Sequence, residues 1–90
     1  MEKRIGSINL LVSDREIVPE INHILSEYAL LIMARQGLPL REYGLHFITL
    51  VVEGTNAEIS ALTGKLGRLP NVEAKSMVAK NYKINSETIN

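Results

Sequence analysis

Two histidines and one short polar run are the positions in this 90-residue chain whose types and spacing could do chemistry. His23 falls in a helix pattern and His46 in a strand pattern; nothing in the sequence brings them together, and each reads first as a solvent or interface histidine. Ser13-Asp14-Arg15-Glu16 stands where a strand pattern gives way to a helix pattern. A helix N-terminus there offers unpaired N–H groups to a carboxylate or a phosphate. Asp14 is equally suited to cap that helix itself. No pair of carboxylates and no nucleophile–base arrangement stands out elsewhere, so an enzyme is not expected.

Composition narrows the options further. Ten acidic and ten basic residues give a formal charge of zero, which removes the broad attraction that non-specific binding to nucleic acid or anionic membrane depends on. With no cysteine, disulfides, thiolate metal sites and a cysteine nucleophile are excluded. The start has no apolar signal region and no apolar run is long enough for a membrane span, so a cytoplasmic protein that does not engage membranes is expected. Hydrophobic residues make up 46% and aromatics only 4%, so the core must be built from Ile, Leu, Val, Ala and Met. No cofactor or metal is expected.

The elements that must position these residues follow from periodicity. Ile8, Leu10 and Val12 alternate as one face of a strand over residues 4–12. Ile17, Ile21, Ile24, Leu25 and Tyr28 then share one helical stripe over residues 15–27, with Pro19 moving the start of regular helix toward Val18. Residues 29–36 read as a strand paired with a strong one at 45–53, and 37–44 as the turn-rich connection between them. Thr55 and Glu58 form a capping box for a second helix striped by Ile59, Leu62, Leu66 and Leu69, stopped by Gly67 and Pro70. Val72 to Ala79 is the fourth strand. Residues 80–90 are polar and without period, and are expected to be a flexible tail.

The order β-α-β-β-α-β over residues 1–79 predicts a single α+β domain: a ferredoxin-like sandwich, with a four-stranded antiparallel sheet and both helices on one face. Strands one and three are central in that topology. Leu45 to Val52 is apolar at positions of both parities, and two helices cover only one face. A second subunit is the simplest cover for the other, so a homodimer or higher homo-oligomer is expected.

Val51-Val52-Glu53-Gly54, the run from Glu58 to Gly67, and Val72-Glu73-Ala74-Lys75-Ser76 resemble small stand-alone proteins known as iron-only hydrogenase system regulators. Asp14-Arg15-Glu16 and Gly37-Leu38-Pro39 look like theirs too, so the resemblance runs over about residues 5 to 79. It implies a regulatory or sensory module tied to hydrogenase expression or maturation, acting by binding a small-molecule effector or a protein. More distantly, the same half is similar to the C-terminal domain of nickel-responsive repressors, an ACT-like fold that binds ligands at subunit interfaces. That likeness puts Ser13, Asp14, Arg15 and Glu16 where ACT-type domains receive an effector, although Val12-Ser13-Asp14-Arg15 lacks the glycine usual in amino-acid-binding loops. It also puts His46 at the place of a metal-ligating cysteine and Leu38 and Leu40 at those of two histidine ligands. A single histidine does not hold nickel, so no inherited nickel site is expected. Met1 leads almost directly into the first strand, so no DNA-binding segment of the repressor kind is expected either.

Two motifs point weakly elsewhere. Gly64-Lys65-Leu66-Gly67 matches the GxxG of KH loops, but it lies within a leucine-striped helix, where packing and C-capping account for it better. Glycine costs about 1 kcal/mol against alanine inside a helix, so close approach to the sheet or to a second subunit is expected at Gly64. RNA-recognition domains share this element order but stack bases on aromatics of the two central strands. Here Phe47 is the one aromatic of the third strand and the first has none. A small ferredoxin-like enzyme of the acylphosphatase kind would need a glycine-rich phosphate loop beside Arg15, and none is present.

Overall fold

The computed structural model describes residues 2–79; the expected tail at 80–90 lies outside the described residues. Four strands, β1 (Arg4–Val12), β2 (Ile32–Leu40), β3 (Leu45–Gly54) and β4 (Val72–Val78), alternate with α1 (Val18–Glu27) and α2 (Asn56–Gly67). The sheet is antiparallel throughout and its spatial order is β2-β3-β1-β4, so β1 and β3 are central. This is the ferredoxin-like, ACT-like α+β arrangement the element order predicts.

The core lies between the sheet and the helices. Ile8, Leu10 and Val12 of β1 meet Ile48, Leu50 and Val52 of β3 on the helix side, all essentially sealed from solvent. Ile21 and Leu25 of α1 and Ile59, Leu62 and Leu66 of α2 close over them. These positions recur at two-residue spacing in the strands and three- to four-residue spacing in the helices, the periods each element needs to present one apolar face. Lys65 bridges the two helices: its Nζ lies 3.6 Å from a Glu27 carboxylate oxygen and 5.5 Å from the centre of the Tyr28 ring.

The entry to the first helix is tighter than its periodicity suggests. Arg15–Ile17 forms a 3-10 turn, and regular helix begins at Val18, with Pro19 in the first turn where its missing N–H costs nothing. The second strand departs most from expectation. Tyr28 ends α1, its N–H reaching the carbonyls of Ile24 and Leu25, and Ala29–Leu31 makes another 3-10 turn. β2 therefore starts at Ile32 and runs through Gly37 to Leu40, residues whose glycine and proline suggested a turn. Pro39 is tolerated because β2 is an edge strand, where a missing N–H need not break a two-sided ladder. The true connection is only Arg41–Tyr43, closed by Gly44 at φ 66, whose N–H donates to the Arg41 carbonyl at 3.2 Å.

Among the described residues, no helix lies on the far side of the sheet. Cross-strand partners share a face, so the pairing sorts it into rows. Leu38, Phe47 and Leu11 form an apolar row that ends in Glu73 on β4, and Ala34, Val51, Ser7 and Met77 a second, largely apolar one. Between them runs a polar row of Gln36, Thr49, Asn9 and Lys75. Phe47 and Val51 are 38% and 37% exposed, Leu38 57% and Met77 68%. The second apolar parity of β3 is thus left uncovered by the described residues.

Gly64 corrects an expectation. It is exposed, and a Cβ added to it would meet no atom within 4 Å, so it does not mark close approach to the sheet. Gly64→Ala is therefore expected to stabilise the isolated chain by about 1 kcal/mol in urea unfolding, by restoring helix propensity. The capping box is present as read: Glu58 N–H donates to Thr55 Oγ1 at 3.1 Å, and Thr55 N–H to Glu58 Oε1 at 2.8 Å. Those bonds from Thr55 hold the Glu58 carboxyl below its usual pKa. A lowered folded-state value means stability that is present above the ordinary glutamate range and lost as pH falls through the folded value. Glu58→Gln is expected to be less stable than wild type at neutral pH, and the gap in thermal unfolding should close as the pH is lowered through that range.

Candidate functional site

The antiparallel register decides what gathers at one end of the sheet. Val12, the last residue of β1, lies opposite His46 near the start of β3, and Pro39 of β2 lies opposite His46 on its other side. The chain leaving β1 therefore passes beside the β2–β3 connection. Ser13 is pinned there by its N–H, which donates to the Asn71 carbonyl at 2.9 Å, and its hydroxyl lies 3.4 Å from the same oxygen. Asn71 sits in the left-handed region at φ 62, the turn that sends the chain into β4. Asn tolerates that conformation better than most residues with a side chain.

Asp14 follows in extended conformation and caps the turn after it: its Oδ1 accepts the Glu16 N–H at 3.0 Å. The expectation of free N–H groups at this junction is corrected to that extent. One of them is already held by the chain's own carboxylate, and the first turn is 3-10 rather than α. A ligand here would rely on side chains.

Those side chains surround an open groove of about 730 Å³. Ser13, Asp14, Arg15, Glu16 and His46, the five positions singled out in the sequence, all line it. Pro39 and Arg41 complete the opposite wall, and Gly44, Leu45 and Val12 contribute to the lining. The groove thus offers two guanidinium groups, two carboxylates, a hydroxyl and an imidazole. Two planar guanidinium forks suit a carboxylate or phosphate, and the carboxylates admit a ligand that also carries a cationic group.

Arg41 and Pro39 were missed because 37–44 read as a solvent-facing turn. The signal that could have found them was present: a glycine eight residues after Gln36 closes a short turn, and everything before that turn is free to be strand. His23, by contrast, lies exposed on α1 and does not line the groove. Leu38 and Leu40 pair with Phe47 and Leu45, which puts them on the opposite side of the sheet from His46. The two leucines and the histidine therefore do not converge. Among the described residues no three His, Asp or Glu side chains are placed to hold a metal ion, and no helix is long and apolar enough to cross a membrane.

His46 owes its place to the residue beside it. A Cβ built on Gly37 would lie 3.0 Å from His46 Nε2, closer than all but a few real contacts of that kind. The missing side chain at Gly37 is what lets the imidazole lie across β2. Gly37→Ala is expected to shift the His46 ring resonances in NMR spectra while the β2–β3 amide pattern persists; unchanged ring resonances would show that the imidazole does not rest there.

Comparisons with known proteins agree with the fold. A family model described as "TM1266-like: Iron-only hydrogenase system regulator, putative" matches residues 4–76. Among solved structures, the chain is similar to the uncharacterized protein TM1266 from Thermotoga maritima, at 32% identity and a TM-score of 0.83, covering 88% of this chain and all of that one. It shares its fold with the ACT domain of GTP pyrophosphokinase from Chlorobium tepidum, at 15% identity and a TM-score of 0.71, over 83% of this chain and 99% of that one. An ACT domain protein from Streptococcus pneumoniae is similar at 20% identity and a TM-score of 0.61, over 84% of this chain and 90% of that one. No curated protein matches the sequence.

Proposed function

This chain belongs to the TM1266-like family of iron-only hydrogenase system regulators, and on that premise we propose that it is an oligomeric regulatory module that works by binding rather than by catalysis. Its place of action is the cytoplasm, and its process is the expression or maturation of an iron-only hydrogenase. A small-molecule effector bearing a carboxylate or phosphate binds in the groove between the β1–α1 junction and the β2–β3 connection. A second copy of the chain covers the open face of the sheet.

The observation that carries this reading is the convergence of Ser13, Asp14, Arg15, Glu16 and His46 on one groove with Arg41 facing them from another element. Groups from separate segments supply opposite charges to a space of small-molecule size. The chain cannot enclose a large internal site: a domain this short buries only about 60% of the surface its unfolded form exposes. An open groove between elements is the form of site that it can build.

Thermal-shift screening against amino acids, nucleotides and divalent metals tests the effector reading. A saturable rise in Tm with an amino acid or nucleotide is expected, because a ligand that binds only the folded state stabilises it by mass action. Arg15→Ala and Arg41→Ala should each weaken that binding about tenfold or more, since a charge-assisted hydrogen bond contributes about 1.5–3 kcal/mol. No response to any of the three classes would overturn the effector reading and leave a protein partner as the object of binding.

A further inference from the structure

We infer that a second copy covers the open sheet face across a two-fold axis that runs along the strands between β1 and β3, with Asn9 and Thr49 as the contact that sets the register. The inference rests on the homo-oligomer reading above and adds to it in which orientation the second copy sits and what fixes it.

The polar row is the unusual feature of this face. Asn9 and Thr49 are directly opposite on the two central strands, half-buried, with apolar rows on either side. Thr49 Oγ1 donates to Asn9 Oδ1 at 3.1 Å. The pair therefore leaves a defined remainder: the Asn9 amide keeps its N–H donors, and the Thr49 hydroxyl, its proton spent, keeps acceptor lone pairs. Donor and acceptor sit side by side on one face of one chain. Two such pairs satisfy each other only when Asn9 faces the partner's Thr49 and Thr49 faces the partner's Asn9. Four hydrogen bonds then close a ring, and no polar group at the centre of the contact is left without a partner.

That exchange demands one axis. For two sheets packed face to face, a two-fold axis parallel to the strands carries β1 onto the partner's β3 and β2 onto the partner's β4. Asn9 then meets the partner's Thr49, Phe47 meets the partner's Leu11, and small Ala34 meets the large side chain of the partner's Met77. On the two central strands row lies on row, polar on polar and apolar on apolar, within the roughly 30° that twisted sheets adopt when they stack, while on the outer strands Leu38 lies against the partner's Glu73. At the edges, Gln36 meets the partner's Lys75, an acceptor against a donor. An axis across the strands instead sets Thr49 against the partner's Thr49, two hydroxyls whose protons are already donated to Asn9, acceptor against acceptor, and Lys75 against the partner's Lys75, like charge against like charge. The self-complementary pattern selects the first axis. A polar contact at the centre of an apolar interface is a recognised way of fixing register.

The test uses the full chain, which lacks cysteine and so accepts single labels cleanly. Light scattering across a range of concentrations is expected to give twice the chain mass. Asn9→Arg, which puts a cation on the two-fold centre at a solvent-facing strand position, should return the mass to that of one chain while the circular dichroism spectrum and cooperative melting persist. Mixing Asn9→Cys chains with Thr49→Cys chains and adding a short bismaleimide should cross-link the 9–49 pair at least tenfold faster than a control mixture of Ser60→Cys on exposed α2 with Thr49→Cys. A wild-type chain that stays monomeric would overturn both the oligomer reading and this inference. A dimer that survives Asn9→Arg, or whose 9–49 cross-link forms no faster than the control, would overturn this inference alone.

Discussion

The antiparallel register of β1 against β3, from Arg4 opposite Gly54 to Val12 opposite His46, decides which side chain meets which medium in this protein. Side chains alternate across a strand, so a slip of one residue would send Ile8, Leu10, Ile48 and Leu50 to the open face and bring Asn9 and Thr49 under the helices. The buried row is wholly aliphatic and the facing row contains the polar pair, so the cost of a slip is large. Both helices are then fixed by the strip of apolar surface that this register presents. α2 takes its starting point from the Thr55–Glu58 box immediately after β3, and the 3-10 turn that leads into α1 takes its starting point from the Asp14 cap shortly after β1. Helical backbone begins within three residues of the end of each central strand, at Arg15 after β1 and at Asn56 after β3, which is why local capping and long-range pairing agree.

The same register builds the groove. Ending β1 at Val12 opposite His46 places the Ser13–Glu16 segment beside the β2–β3 connection, two parts of the chain that are about thirty residues apart in sequence. The groove needs no special folding of its own. Its floor is the end of the core, its walls are the two connections that any chain of this topology must make at that end, and its chemistry is whatever those connections carry. Here they carry Arg15 and Arg41 with Asp14, Glu16 and His46, and the Gly37 position that leaves room for the imidazole.

Much of this was legible in the residues, and the failures share a cause. The strongly periodic strands β1 and β3 were read to within a residue, and the start of α2 at its capping box, because burial pattern and local chemistry pointed the same way. The β2 region was misplaced by about four residues, because Tyr28 to Arg35 is apolar at every spacing and Gly37 and Pro39 carry turn propensity that an edge strand overrides. That error hid Arg41, since a residue assigned to a solvent turn is not weighed as a site residue. The sheet half of the Gly64 expectation failed in the other direction: a glycine in a helix asks for a steric reason, and the described residues supply none on the sheet side. The gathering of Ser13–Glu16 with His46 was not legible at all, since it depends on where two strands end relative to each other, a property of the pairing and not of either segment.

β3 finally joins the two halves of the functional reading. Its first turn-side residue pair, Leu45 and His46, borders the groove, while Phe47, Thr49 and Val51 lie on the open face only one to five residues further along the same strand. A strand paired on both sides is stiff, and its two faces cannot move independently. If an effector in the groove changes the placement of β3, it changes the surface offered to a second copy, and the coupling runs both ways: an effector that favours association must itself be bound more tightly by the associated chain, by the same factor. A chain this small, without room for a buried site or a second domain among its described residues, can still couple a ligand to an assembly by this route. Under the proposed function, the shared strand makes groove and interface one thermodynamic system.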